Sequence, residues 1–171
     1  LEIPADKTVT LNLNGKKLTG SGSTVLDVKG DLTLEGGTIE NAGQIACVED
    51  RGKLTVNGGI FNATNPSQAE YIACAIYQPG NGTLTVNGGT FNITGGVGIL
   101  LRDGTLTLTD GVIFNHTSVV DLDKGKVGAA DTEIEVGSNI VTEEGLEGYG
   151  VTVTLNLPEG YPAESIRENH P

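Results

Sequence analysis

The sequence predicts an all-β chain that coils as a right-handed parallel β-helix, on three observations. Five segments align without gaps: Leu11-Asn-Leu-Asn-Gly-Lys-Lys-Leu18, Leu32-Thr-Leu-Glu-Gly-Gly-Thr-Ile39, Leu54-Thr-Val-Asn-Gly-Gly-Ile-Phe61, Leu84-Thr-Val-Asn-Gly-Gly-Thr-Phe91 and Leu106-Thr-Leu-Thr-Asp-Gly-Val-Ile113. Their starts step by 21, 22, 30 and 22 residues. Glycine supplies 26 of 171 residues, roughly twice the usual share. A fixed period with like residues at like positions marks stacked repeats, none of which buries its apolar face alone. A sandwich of hairpins needs no such register.

Each repeat has one internal logic. Leu-x-Leu or Leu-x-Val alternates with period two, so both apolar residues face one side of a strand. A glycine-containing dipeptide bends the chain. An inward apolar residue follows: Leu18, Ile39, Phe61, Phe91 or Ile113. Between repeats lie further apolar runs: Val25-Leu-Asp-Val28, Ile45-Ala-Cys-Val48, Ala75-Ile-Tyr77, Ile99-Leu-Leu101 and Val119-Val-Asp-Leu122. Each repeat thus holds about three short strands. The whole chain reads as about five to seven rungs of roughly 22 residues. Right-handedness follows from the rule for parallel crossovers.

Residues 1–130 form the repeats, and 131–171 a last rung, cap strands and an acidic tail. Thr132-Glu-Ile-Glu-Val136 and Val151-Thr-Val-Thr-Leu-Asn-Leu157 alternate as half-exposed strands. They suit a cap over an open end, where a bare rung leaves backbone groups unpaired. Pro158-Glu-Gly-Tyr-Pro162 then breaks the pattern. The start at Leu1, with no methionine, reads as a processed chain or a piece of a longer one.

Composition limits the partners. Ten basic against 22 acidic residues give a net charge of −12, which disfavours phosphate backbones and so nucleic acid. No run of about 18 apolar residues predicts a membrane span. Cys47 and Cys74 fit no zinc motif. Both lie in Ile-Ala-Cys runs on successive turns, which predicts buried thiols close together, free or joined between rungs. No cofactor and no metal site is read. Asp121-Leu-Asp123 sets two carboxylates on one side of a strand, too few for Ca²⁺.

At Thr8-Val-Thr-Leu-Asn-Leu-Asn-Gly-Lys-Lys-Leu18 and the Leu-Thr-Val-Asn-Gly-Gly-Thr-Phe-Asn unit, the chain resembles the pectate-lyase-like right-handed β-helix superfamily. Its style is that of the non-catalytic repeat regions of bacterial surface proteins and of phage fibres or decorations. The resemblance covers about two thirds of the chain. It implies the fold, while the same repeat carries enzymes, adhesins and virion parts.

Enzymes of that superfamily act on acidic polysaccharides. They need a cluster of carboxylates with a histidine or a basic residue on one face. Here there are three arginines, Arg51, Arg102 and Arg167, and two histidines, His116 and His170, without Gly-His-Gly, Asn-Thr-Asp or Asp-Asp motifs. Arg51 and Arg102 read as loop residues beside Glu49, Asp50 and Asp103. Thr33, Thr55, Thr85 and Thr107 form an outward column of the kind that can bind ice, but the next column, Glu35, Asn57, Asn87 and Thr109, does not pair with it. Asn62, Asn92, Asn115 and Asn81 match the glycosylation pattern. Asn62 and Asn92 share a register, with Asn115 one step later.

Two insertions break the regular rod, Asn65–Tyr71 and Gln78–Gly82. Loops on a rigid scaffold carry function, so Tyr71, Tyr77, Gln78 and Asn81 are the candidate binding residues. The resulting expectation is a non-catalytic structural or adhesive module, in a virion or on a cell surface. Its partners would be a homo-oligomer, a larger assembly or a glycan. A polysaccharide lyase or hydrolase is the alternative, and an ice binder a more distant one.

Overall fold

A computed structural model describes residues 1–20, 22–41, 45–64, 73–117, 120–121, 126–127, 132–137 and 153–169. They form strands β1 (Glu2–Ile3), β2 (Thr8–Leu11), β3 (Lys17–Gly20), β4 (Thr24–Val28), β5 (Asp31–Asn41), β6 (Ala46–Asp50), β7 (Lys53–Thr64), β8 (Ala73–Gln78) and β9 (Thr83–Val86). Then come β10 (Gly89–Thr94), β11 (Gly96–Leu101), β12 (Gly104–Leu108), β13 (Val112–Thr117), β14 (Val120–Asp121), β15 (Lys126–Val127), β16 (Thr132–Gly137), β17 (Val153–Asn156) and β18 (Ile166–Asn169). One turn of 3-10 helix, Ala163–Ser165, precedes β18.

The chain alternates between two parallel sheets. One runs β1-β4-β6-β8-β11-β16-β18. In the other, β5 pairs with β2, β3 and β7, β7 continues to β9 and β10, and these lead to β12-β17 and β13. Among the described residues, only β14 and β15 pair antiparallel. Each return to a sheet lands beside the strand of the previous passage, an arrangement compatible with a β-helix-like coil.

Like residues stack on like. Leu32, Leu54, Leu84, Leu106 and Leu155 form one column, and Leu34, Val56, Val86 and Leu108 the next. The eight from strands β5, β7, β9 and β12 are at most 4% exposed, as the alternation predicts. Phe61, Phe91 and Phe114 stack in a third column, with ring centroids 4.8 and 5.1 Å apart. Such offset stacking adds about 0.5–1.5 kcal/mol per pair to the burial itself.

Four expectations need correction. Two strands expected on either side of a glycine pair are single bent strands, the 11-residue β5 and the 12-residue β7. Gly37 and Gly59 take φ of 89° and 121° at the bend, a region where a side chain is strained, and the β5–β7 register shifts there as in a bulge. In the first repeat Leu11 pairs with Leu34, and Val9 with Leu32, two residues from the gapless alignment. Period two hides this shift, since it keeps every side chain on its face.

In the fifth repeat the inward residue is Phe114, paired with Phe91, while Ile113 pairs with Thr90 and is 52% exposed. The bend at Thr109–Gly111 takes up one extra residue. Asn115 therefore pairs with Asn92 in full register. Lastly, the cysteines are buried and free, but Ala46, not Cys47, pairs with Cys74. Cys47 joins the main core, whereas Cys74 packs with Ala46, Val97 and Leu100 in a second apolar cluster.

A glycine column forms the other corner of the stack. A β-carbon at Gly52 would lie 2.4 Å from the Gly30 carbonyl oxygen, and one at Gly104 2.3 Å from that of Gly82. The corner closes only because these positions carry no side chain.

Candidate functional site

The bent strands carry a hydrogen-bonded side-chain ladder on their outer face. Alternation puts Glu40, Asn62, Asn92 and Asn115 outward at the same register position. Asn62 Nδ2 donates to Glu40 Oε2 (3.3 Å), Asn92 Nδ2 to Asn62 Oδ1 (2.8 Å), and Asn115 Nδ2 to Asn92 Oδ1 (2.8 Å). Lys17 Nζ closes the end at 3.2 Å from Glu40 Oε1. A carboxylate only accepts, so Glu40 orients the whole chain of amides. The Lys17 and Asn62 bonds hold the Glu40 carboxyl below its usual range.

A second ladder repeats the logic. Asn57 Nδ2 donates to Glu35 Oε1 (2.8 Å), and Asn87 Nδ2 to Asn57 Oδ1 (2.9 Å). The threonine column is present, Thr10, Thr33, Thr55, Thr85 and Thr107. Its other neighbour reads Thr8, Asp31, Lys53, Thr83 and Thr105, so two charges interrupt any paired threonine array.

The other sheet carries a charged and aromatic row. Asp27, Glu49, Tyr77 and Leu100 share one register position. Lys29, Arg51 and Arg102 each follow the last residue of their strand. Arg51 Nε donates to Glu49 Oε1 at 2.8 Å, and its Nη2 reaches the same oxygen. The Arg102 guanidinium lies over the Tyr77 ring, 5.9 Å from its centroid, within cation–π range. Lys29 bridges Glu2 (2.8 Å) and Asp27 (3.5 Å). The hydrogen bond to Glu2 holds the Lys29 ammonium above its usual range, and that to Glu49 does the same for the Arg51 guanidinium.

The candidate residues are placed as follows. Tyr77 is half-buried in that row. Asn81 is exposed in the bend before β9. Gln78 is fully buried, its amide donating to the carbonyls of Gly82 (3.2 Å) and Asp103 (2.5 Å). Tyr71, Asp123, His170 and the side chains of Asp121, His116 and Arg167 lie outside the described residues. Arg51 and Arg102, read as loop residues, border the Tyr77 row. Lys29 went unnoticed, although it follows Val28 as Arg51 follows Asp50 and Arg102 follows Leu101.

A cavity of about 230 Å³ lies at the far end of the stack, between the Thr109–Val112 bend and the Pro158–Pro162 turn. Beside it, Tyr161 donates its hydroxyl to Glu133. Burial and that bond raise the phenol above its usual range. Among the described residues no group of three His, Cys, Asp or Glu side chains is placed to hold a metal ion. None of their helices is long and apolar enough to cross a membrane.

No family model, no curated protein and no solved structure matches the chain.

Proposed function

We propose that this chain is a right-handed parallel β-helix of the pectate-lyase-like superfamily, of the non-catalytic repeat type, with five to seven rungs. It serves as a structural or adhesive module. The setting is a phage fibre or decoration, or a segment of a bacterial surface protein that contacts a glycan or another protein. The observation that carries this reading is the Glu40–Asn62–Asn92–Asn115 ladder. It commits these four polar side chains to one another, layer to layer. Side chains bonded in this way stiffen a rod and are not held ready for a reacting group.

One observation favours a second reading, a carbohydrate-active enzyme. The Glu49–Arg51 pair and the Tyr77–Arg102 contact put a carboxylate, two guanidinium groups and an aromatic ring side by side. An aromatic face with charged flanks also suits glycan contact without turnover.

The test is turnover on a panel of acidic and neutral polysaccharides, with and without Ca²⁺, beside binding of the same glycans. Detection of the chain in intact virions or on a cell surface, without turnover, supports the module. Release of reducing or unsaturated ends, abolished by changing Arg51 or Arg102, overturns it.

A further inference from the structure

Two polar side chains are set among apolar ones next to the glycine corner. Asp50 pairs with Val28, and Gln78 with Leu101. Glu49 pairs with Tyr77 one residue earlier, so Asp50 and Gln78 are neighbours on β6 and β8. Val28 and Leu101, on either side, both belong to the main core, and all four residues are 0% exposed.

The amide of Gln78 has one workable orientation. Its Nε2 serves two carbonyl oxygens, of Gly82 and Asp103, and a reversed amide would set Oε1 against both. Among the described residues none donates to Oε1. Asp50 Oδ1 accepts the Gly52 N–H at 3.1 Å, and Oδ2 has no partner among the described residues. Two neighbouring acceptors thus lie inside the protein with no donor among the described residues, an arrangement that carries a desolvation cost on each. A single proton on Oδ2 resolves it: the carboxyl becomes a donor and its buried charge disappears.

We propose that Asp50 is held as the neutral acid, its Oδ2–H donating to Gln78 Oε1, and that this pair makes the interior sensitive to rising pH.

The surrounding charges are engaged elsewhere. Glu49 of β6 pairs with Arg51, which follows that strand; Asp27 of β4 pairs with Lys29, which follows that strand, with Glu2 of β1 beside them. At the start of β7, Lys53 is exposed. On β8, the neighbour of Gln78 is Tyr77, under Arg102. Asp103 Oδ1 takes the Gly104 N–H. Among the described residues no ion pair includes Asp50. Burial raises its carboxyl to about 7, against the opposing pull of the Gly52 bond.

An acid whose folded value exceeds its unfolded one stabilises the fold fully below the unfolded value. That contribution fades as pH rises from about 4 through about 7. Asp50→Asn keeps the shape and supplies a permanent donor to Oε1 and an acceptor for Gly52. Between pH 4 and pH 8 the unfolding constant of the parent should therefore rise by up to roughly a thousandfold relative to this variant. The measurement is chemical unfolding of both chains across that range. Carbon NMR of the Asp50 carboxyl in the unaltered chain reads the same proton directly, and serves if the variant does not fold. A carboxyl that titrates at about 4 in the folded protein overturns the proposal. So does an Asp50→Asn variant as sensitive to pH as its parent.

Discussion

Gly98 sits against the ring of Phe114: a β-carbon there would lie 2.6 Å from the ring's Cε1 and 2.5 Å from the Glu133 carbonyl oxygen. The phenylalanine stack ends on a position that only a missing side chain leaves open. Gly98→Ala should destabilise the fold by about 1–3 kcal/mol through overpacking. Phe114→Leu in the same chain should recover part of that loss, because the two positions share one volume. Denaturant midpoints of the two single variants and the double variant measure the coupling. Additive losses would show that the ring is not what Gly98 accommodates.

Leu84 stands in the middle of the leucine column and is 0% exposed. Leu84→Ala should cost about 2–5 kcal/mol. Leu84→Asp should abolish folding, since it buries an unpaired charge in a domain of marginal stability. Circular dichroism and a cooperative melt distinguish the two, and a folded Leu84→Asp chain would contradict the packing.

Asn92 both donates and accepts in its ladder. Asn92→Ala removes two hydrogen bonds, at about 1 kcal/mol each. Asn92→Asp keeps the acceptor for Asn115 but sets a carboxylate against the Asn62 carbonyl. It should therefore be weaker than the parent at neutral pH and recover as acid protonates it. Thermal melts at pH 7 and at pH 3, each referred to the parent, test this. The absence of acid recovery would refute the direction of the ladder.

Both thiols should resist labelling in the native protein. Burial pushes Cys47 up to about 12 and Cys74 well above its usual value, and only the thiolate reacts readily. Cys47 also points its Sγ at the Asn62 carbonyl oxygen, 3.3 Å away. The labelling rate should follow global unfolding as denaturant is added. Fast labelling of either cysteine without denaturant would contradict its burial.

The apolar columns were legible because a strand face has period two and the repeats keep it. Leu32, Leu54, Leu84 and Leu106 could be placed inward from spacing alone. One-residue offsets were not legible. The extra residue at Thr109–Gly111 moves Phe114 inward in place of Ile113, and spacing cannot say how many residues a glycine bend absorbs. The same limit misaligned Cys47 with Cys74. Glycines 30, 52, 82 and 104 looked like ordinary loop residues, since their role depends on carbonyls about 22 to 30 residues away. Asp50 and Gln78 end apolar runs and so looked like the start of a loop. Their inward direction follows from pairing with Val28 and Leu101. The Tyr77 row depends in the same way on which strand ends lie side by side.

Because these columns repeat one kind of residue, a layer inserted between β7 and the β9 and β10 strands would find leucine, threonine, phenylalanine and asparagine already waiting on both sides. Its own asparagine would take up the donor direction set by Glu40. Such an array lengthens or shortens by duplication or loss of a whole turn, with no new contact to be evolved. The 30-residue step between Leu54 and Leu84 shows the other freedom: eight further residues enter without disturbing the pairing of Leu54 with Leu84. Length and decoration are separate genetic variables in this architecture.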